Sequence, residues 1–227
     1  MASGRTIYGA TLYGLAGSSF TGSDENPLSE SGVWSTGSGE TAWKRLTNTA
    51  QPTDPAGGDN TVRYSGLTFP AAQYSRGKLT VNSTAGGARG VGLTVRNAAG
   101  AATYYRVVMD HAATNNAELG KKVAGAYTAL VTWTKTFAHG DQFTLLADGS
   151  FIQVYDKNMM LVASVWDNAV TSGSPGLTLS TAVTSASVDD WEGGKLVVEV
   201  PPRIRRRFRR RQARDGMMND ITLQHWF

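Results

Sequence analysis

Residues 140–192 read GDQFTLLADGSFIQVYDKNMMLVASVWDNAVTSGSPGLTLSTAVTSASVDDWE, and this stretch decides the fold. It contains three short runs in which apolar residues recur at every second position: Phe143, Leu145, Ile152, Val154, Leu161, Ala163 and Val165. A period of two is typical of β-strands that bury one face, and turn residues separate the runs. The stretch therefore predicts consecutive antiparallel strands.

The turns in this stretch follow a recognisable order. They are Gly140-Asp141, Gly149-Ser150, Lys157-Asn158, the corner Gly173-Ser174-Pro175-Gly176 and the closing segment Val188-Asp189-Asp190-Trp191-Glu192. This order resembles the concanavalin A-like jelly roll of LamG-type and pentraxin-like domains. Met159 departs from the resemblance, because the family usually has glycine there.

The chain before this stretch supports the same resemblance. Gly32-Val33-Trp34 matches a "Gly-x-Trp" point of the family, and the segments 90–96 and 103–107 resemble its core hairpin. Roughly a dozen strands and no convincing helix are predicted up to residue 200. We therefore predict an all-β, antiparallel two-sheet jelly-roll sandwich, with the resemblance covering about residues 18–194.

Composition and charge divide the chain into three predicted parts. Residues 1–17 are predicted to be an extended N-terminal arm, 18–194 the jelly-roll domain, and 195–227 a basic C-terminal docking arm. Residues 200–227 carry eight arginines and two aspartates, so the overall charge of +4 belongs to the tail. The segment 195–200 is predicted to be an extra strand that the domain does not need.

The composition disfavours several classes of protein and of metal site. The chain has no cysteine, so it can form neither a disulfide nor a thiolate metal site. It has no apolar run near the roughly 20 residues that span a bilayer. The N-terminus has no sustained apolar centre, so we predict no secretory signal.

Catalytic residues are not predicted. Jelly-roll glycanases place alternating carboxylates on one strand, and that pattern is missing here. Asp189, Asp190 and Glu192 form the nearest cluster; alternation would put Asp190 and Glu192 on one face and Asp189 on the other. His111 and His139 sit in no metal or triad motif and are predicted to be turn or surface residues. We predict that the protein is not an enzyme.

No metal and no cofactor are predicted either. Some relatives of the jelly roll bind calcium through an aspartate and backbone carbonyls, but this chain has no Asp-x-Asp-x-Asp loop. Four aspartates at predicted loop edges are the available candidates: Asp54, Asp59, Asp110 and Asp141. A turn-stabilising role is the favoured interpretation of all four.

Glycan binding is implied by the resemblance and by no motif. Sugar sites combine an aromatic platform with polar side chains at one end of a sandwich. The aromatic candidates are Trp43, Tyr64, Tyr74, Tyr104 and Trp166, most of which are predicted to lie in the core or on strand surfaces. The residues of a glycan site are not assigned.

The Arg-rich tail has three interpretations: a phosphate-binding segment, a solvated charge run, or an arm that docks on an acidic protein surface. Ile204 and Phe208 have the spacing of one stripe of a short helix. Arginines pair with carboxylates, and terminal aromatics are good interface anchors. A docking arm is favoured over nucleic acid, with the predicted docking residues Arg203, Arg205, Arg206, Arg207, Phe208, Arg209, Arg210, Arg211, Trp226 and Phe227.

The functional expectation follows from these parts together. A sandwich with arms at both ends resembles accessory tail, fibre or capsid-decoration proteins of tailed bacteriophages. We expect a virion structural protein that occurs as a homo-oligomer or in many copies, binds other virion proteins through its tail, and contacts host surface glycans. The alternative is a free carbohydrate-binding module of a bacterial protein, secreted or on the cell surface.

Overall fold

A computed structural model describes residues 5–7, 10–37, 39–53, 59–80, 90–100, 102–109, 116–134, 138–180 and 186–198. Some of the predictions above fall outside these residues. They concern His111, Asp54, Asp110 and the side chain of Asp59, together with the whole predicted docking set from Arg203 to Phe227.

The described residues form sixteen strands in two sheets. The nine-stranded sheet contains β1 (Arg5–Ile7), β2 (Ala10–Ser18), β4 (Trp43–Leu46), β5 (Thr49–Pro52), β7 (Gln73–Thr80), β12 (Asp141–Asp148), β13 (Phe151–Tyr155), β14 (Leu161–Trp166) and β16 (Ser187–Val198). The seven-stranded sheet contains β3 (Trp34–Thr36), β6 (Asp59–Tyr64), β8 (Val91–Asn97), β9 (Tyr104–Met109), β10 (Asn116–Val123), β11 (Ala126–Thr134) and β15 (Ser174–Ser180).

The order of strands interleaves distant parts of the sequence. The main path of the nine-stranded sheet is β1-β2-β16-β7-β12-β13-β14, and β5 pairs with both β4 and β16. The seven-stranded sheet runs β11-β10-β9-β8-β15-β6-β3. The pairings whose registers are resolved are antiparallel, as in β7–β12 and β8–β15. The predicted all-β jelly-roll sandwich is confirmed. Among the described residues, no helix is long and apolar enough to cross a bilayer.

One apolar core fills the space between the sheets. The predicted inward positions Phe143, Leu145, Ile152 and Val154 are buried in it. At its centre the rings of Trp34 and Trp191 meet at 4.6 Å, and Tyr64 stacks on Trp191 at 5.4 Å. Such ring pairs add stabilisation beyond their buried area.

Trp191 also joins the two sheets through hydrogen bonds. Its indole Nε1 donates to Ser75 Oγ at 2.9 Å, and that hydroxyl donates to the carbonyl of Gly176 at 2.9 Å. Ser75 and Gly176 lie on β7 and β15, so the bonds run from one sheet to the other. A buried Trp N–H needs a partner, and this chain of bonds supplies one.

A β-bulge at Asp190 changes the predicted alternation of β16. The register against β7 shifts between Asp189 and Glu192, and Asp190 has a φ of 46°. The extra residue places Val188 and Trp191, three positions apart, in the core together. Strict period-two alternation therefore does not hold across this bulge. Asp190 and Glu192 nevertheless share a face, because they pair with Lys78 and Arg76, which lie two residues apart on β7.

The predicted N-terminal arm at residues 1–17 is wrong for residues 10–17, because they lie in β2 beside β16. Two glycines of this strand, Gly14 and Gly17, lie in close contact with β16. A Cβ on Gly14 would lie 3.1 Å from Glu192 Oε1, and one on Gly17 would lie 3.3 Å from the carbonyl oxygen of Trp191. Glycine at these positions lets β2 and β16 approach each other closely.

The predicted domain end at residue 194 is corrected as well. β16 continues to Val198, with Lys195 paired to Gln73 and the Leu196 amide donating to the carbonyl of Ala72 at 3.3 Å. Leu196 packs on a second, smaller apolar cluster formed by Leu12, Tyr74, Leu146 and Tyr155. Residues 195–198 therefore belong to the nine-stranded sheet.

Two predicted turns are present in the structure, and their backbone geometry accounts for the residues found in them. Gly149 and Ser150 connect β12 to β13 as a two-residue loop, with Asp148 opposite Phe151. Met159, which replaces the usual glycine, has a φ of 60° in the turn before β14. This left-handed conformation is the reason why glycine suits that position.

Candidate functional site

The structure separates the five predicted aromatic candidates by exposure. Trp43, Tyr74 and Tyr104 are fully buried, and Tyr64 is half-buried in the aromatic core cluster. Trp166 is 67% exposed. Of these candidates, Trp166 is therefore the one whose ring is available to a ligand.

Trp166 is paired with a second exposed aromatic side chain. Trp166 on β14 lies directly opposite Phe151 on β13, and the ring centroids are 4.5 Å apart at 80°. Phe151 is 46% exposed. Phe151 was not among the aromatic candidates predicted from the sequence, although the inward phase of Ile152 and Val154 points it outward. Its pairing with Trp166 depends on the β13–β14 register.

Polar side chains lie on the same outer surface beside the rings. Gln153 and Ser164 face each other in the next outward position of β13 and β14. Ser164 is exposed, and the Tyr155 hydroxyl donates to Gln153 Oε1 at 3.1 Å. We call Phe151, Gln153, Ser164 and Trp166 the aromatic edge, because β14 ends the main strand path of the nine-stranded sheet.

Asp167 fixes the backbone that follows Trp166. Its carboxylate accepts hydrogen bonds from the Tyr105 hydroxyl and from Lys121 Nζ, both at 2.5 Å, and its amide donates to the Ser150 carbonyl at 2.8 Å. Burial alone would raise the pKa of Asp167. The bonds from Lys121 and Tyr105 outweigh burial and hold this pKa below its ordinary value.

Arg96 clamps the two loops on either side of the aromatic edge. Its guanidinium donates to the carbonyl of Gly149 at 2.7 Å and to that of Val170 at 2.9 Å. Arg96 is buried, and burial lowers its pKa. The hairpin that carries Phe151 and the loop that follows Trp166 are thus held by one side chain, which keeps the aromatic surface rigid.

The carboxylate cluster on β16 makes structural ion pairs. Glu192 accepts from Arg76 at 2.6 Å and also from the Tyr74 hydroxyl, while Asp190 pairs with Lys78. Burial and the bond to Glu192 raise the pKa of Tyr74 well above its ordinary value. Asp190 and Glu192 therefore form ion pairs and hydrogen bonds with side chains on the outer face of β7.

Asp141 stabilises a turn, as the sequence analysis favoured. Its carboxylate accepts from the Ala138 amide at 3.0 Å and from Lys157 at 2.8 Å. His139 lies exposed in the same turn. Within the part of the chain that the structure describes, no three His, Asp or Glu side chains come together as a metal site.

No family model and no curated protein matches the chain. Among solved structures, the carbohydrate-binding module CBM66 from Bacillus subtilis superposes with a TM-score of 0.59 at 17% identity, over 74% of this chain and 99% of that one. The exoplasmic/lumenal domain of VIP36, bound to Ca²⁺ and Man3GlcNAc, superposes with a TM-score of 0.56 at 10% identity, over 80% of this chain and 92% of that one. The chain therefore shares the sandwich fold of these two structures.

Proposed function

We propose that this chain is a non-enzymatic carbohydrate-binding module and that the aromatic edge is its sugar-contacting surface. The observation that carries the proposal is the exposure of Trp166 beside Phe151 on two paired strands. Large exposed aromatic surfaces on a protein generally mark binding sites. The fold is shared with a carbohydrate-binding module and with a domain bound to Man3GlcNAc, and this supports a glycan as the ligand.

The chemistry of the aromatic edge suits a sugar ring. One face of a pyranose presents C–H groups, which pack on the ring of Trp166 and exclude water from both surfaces. The hydroxyls around the ring edge then meet Ser164 and the amide of Gln153, which are polar groups at the same surface. An open strand edge also lets a long chain continue past the site, so we expect polysaccharides to bind better than monosaccharides.

The test compares polysaccharide binding by wild type, Trp166→Ala and Tyr13→Ala. Tyr13 is the matched control, because it is an exposed aromatic residue on β2, outside the aromatic edge. We expect Trp166→Ala to weaken binding about 30-fold or more, as loss of a buried aromatic anchor costs roughly 2 kcal/mol or more. Equal binding by all three proteins would refute the assignment.

For the terminal segments we propose attachment to a bacteriophage virion, where the module would be displayed in many copies. Its support is the concentration of arginine in residues 203–214, followed by the terminal pair Trp226 and Phe227. Changing both aromatics to Ala should weaken co-assembly with virion proteins more than neutralising any single arginine does. Equal effects would count against an aromatic anchor.

The two alternatives to virion attachment predict different binding behaviour for the purified protein. A free secreted or cell-surface module would bind its glycan as a monomer and keep that affinity when residues 199–227 are removed. A nucleic-acid-binding tail would give an affinity that falls steeply with salt, in proportion to the phosphates contacted.

A further inference from the structure

The strands at the edges of the two sheets differ in length and charge. Among the described strands, β1, β3 and β4 each pair on one side only, and none of them is longer than four residues. β1 carries Arg5, and β4 carries Lys44 and Arg45. Short or charged edge strands discourage pairing with a strand of another chain. These three edges are therefore protected.

β11 and β14 are long or uncharged edges of the same sandwich. β11 has nine residues, AYTALVTWT, and β14 has six, LVASVW, and neither strand contains a charged residue or a proline. β11 ends the seven-stranded sheet, β14 ends the main path of the nine-stranded sheet, and the two strands are in contact. Both edges therefore lie on one side of the sandwich, and we call this side, formed by β11 and β14, the open side.

The open side presents apolar side chains to solvent. Leu161 and Trp166 on β14 and Tyr127 on β11 are exposed, as is Met160 immediately before β14. Exposed apolar side chains that gather on one surface generally mark a place where another molecule binds. The open side therefore has the composition of an interface.

The hydrogen bonds between β13 and β14 show which backbone groups face the open side. The Asp167 amide donates to the Ser150 carbonyl at 2.8 Å. Bonded and non-bonded pairs alternate along an antiparallel ladder, so Val165 bonds to β13, whereas the amides and carbonyls of Ser164 and Trp166 point away from it. Among the described strands, none pairs with β14 on that side. Backbone groups in this arrangement fit another strand.

We propose that a second copy of this chain binds to the open side, with β14 of one copy antiparallel to β14 of the other. A two-fold axis perpendicular to the sheet produces this pairing, and it brings the two β11 strands beside each other as well. The amides and carbonyls of Ser164 and Trp166 then bond to the partner. Each uncharged strand meets its own copy, so no like charges are opposed.

The charged residues next to the open side do not oppose this pairing. Asp167, which follows β14, forms an ion pair with Lys121 on β10. The neighbouring Lys122 forms one with Glu40. Because these charges are balanced within each copy, two copies approach without strong repulsion from them.

The dimer would join two aromatic edges into one surface. Trp166 and Phe151 lie on the outer face of the nine-stranded sheet, and the two-fold axis keeps this face on the same side in both copies. A polysaccharide that passes Trp166 then reaches the partner's Trp166, and linked sites raise the overall affinity through effective concentration. This consequence rests on the proposed function, whereas the pairing itself is measured without a glycan, so the two fail separately.

Sedimentation velocity of the full-length chain over a range of concentrations tests the pairing. One chain has a mass of 24.2 kDa, and we expect wild type to approach twice this mass as its concentration rises. Ser164→Lys places a charge within the paired edge and should raise the concentration needed for dimers at least about tenfold, because like charges then meet at the interface. Thr68→Lys adds the same charge in an exposed loop and should behave like wild type.

Hydrogen exchange of the wild-type chain gives a second readout that needs no variant. The amides of Ser164 and Trp166 should exchange about tenfold more slowly at the concentrations that give dimers, because strand pairing protects them. The Val165 amide, which bonds to β13 within one copy, is the internal control and should change much less.

Three results would overturn the proposal. The first is a wild-type chain that keeps the mass of a monomer at every concentration. The second is a dimer that Ser164→Lys weakens no more than Thr68→Lys does, because association through another surface, such as residues 199–227, does not depend on Ser164. The third is a dimer in which the Ser164 and Trp166 amides exchange as fast as in the monomer.

Discussion

Asp167→Asn is the substitution that best tests how the surface around Trp166 is held. The change keeps an acceptor for the Tyr105 hydroxyl and removes the charge that pairs with Lys121. The Lys121 and Asp167 side chains are only 20% and 14% exposed, so their ion pair lies between the exposed and buried extremes. Exposed pairs contribute about 0–1 kcal/mol, and breaking a buried pair costs about 3–5 kcal/mol. We expect the free energy of unfolding to fall by about 2–3 kcal/mol.

The pH dependence of this loss has a definite sign. The folded protein holds the pKa of Asp167 below its ordinary value, so the carboxylate stabilises the fold fully above the unfolded pKa of about 4. That stabilisation disappears as the pH falls through the folded pKa. The difference between wild type and Asp167→Asn should therefore be constant from pH 5 to 7, as ordinary Asp titration lies below this range, and should shrink in stronger acid.

Urea unfolding at several pH values measures both effects. Asp190→Asn is the matched control, because Asp190 pairs with Lys78 at the surface, where both side chains are more than 40% exposed. The control should lose much less stability than Asp167→Asn, because solvent screens an exposed ion pair. A stabilising Asp167–Lys121 ion pair is refuted if Asp167→Asn loses no more stability than the control, or if its deficit is unchanged below pH 3.

Two further predictions concern the fold. A chain that ends at Gly194 should unfold at lower urea than one that ends at Val198, because the shorter chain lacks the last pairs of β16; equal midpoints would restore the original boundary at 194. Gly176→Ala should lower the melting temperature strongly, as its Cβ would lie 2.1 Å from the carbonyl oxygen of Val62. Gly100→Ala, where a Cβ meets nothing within 4 Å, is the control and should melt like wild type.

The strands and turns of the second half of the chain could be predicted because their signals are local. The alternating apolar residues of β12 and β13 lie within a few residues of the Gly149-Ser150 turn that joins these strands. The extent of the nine-stranded sheet at the two ends of the chain could not be predicted in this way. The glycines of β2 and the strand end at Val198 make sense only beside β16 and β7, which are remote in sequence.

The candidate sites depend even more on distant pairing. Trp166 was among the aromatic candidates, but its exposure and its contact with Phe151 follow from the register of β13 and β14.

The most direct test of carbohydrate binding at the aromatic edge is to follow the indole N–H signals by NMR. The chain has six tryptophans, and Trp34, Trp43 and Trp191 are buried in the core. During titration with an oligosaccharide from a glycan that the protein retains, the account predicts that the Trp166 signal shifts while these three stay in place. Saturable binding that leaves the Trp166 signal unmoved would contradict it.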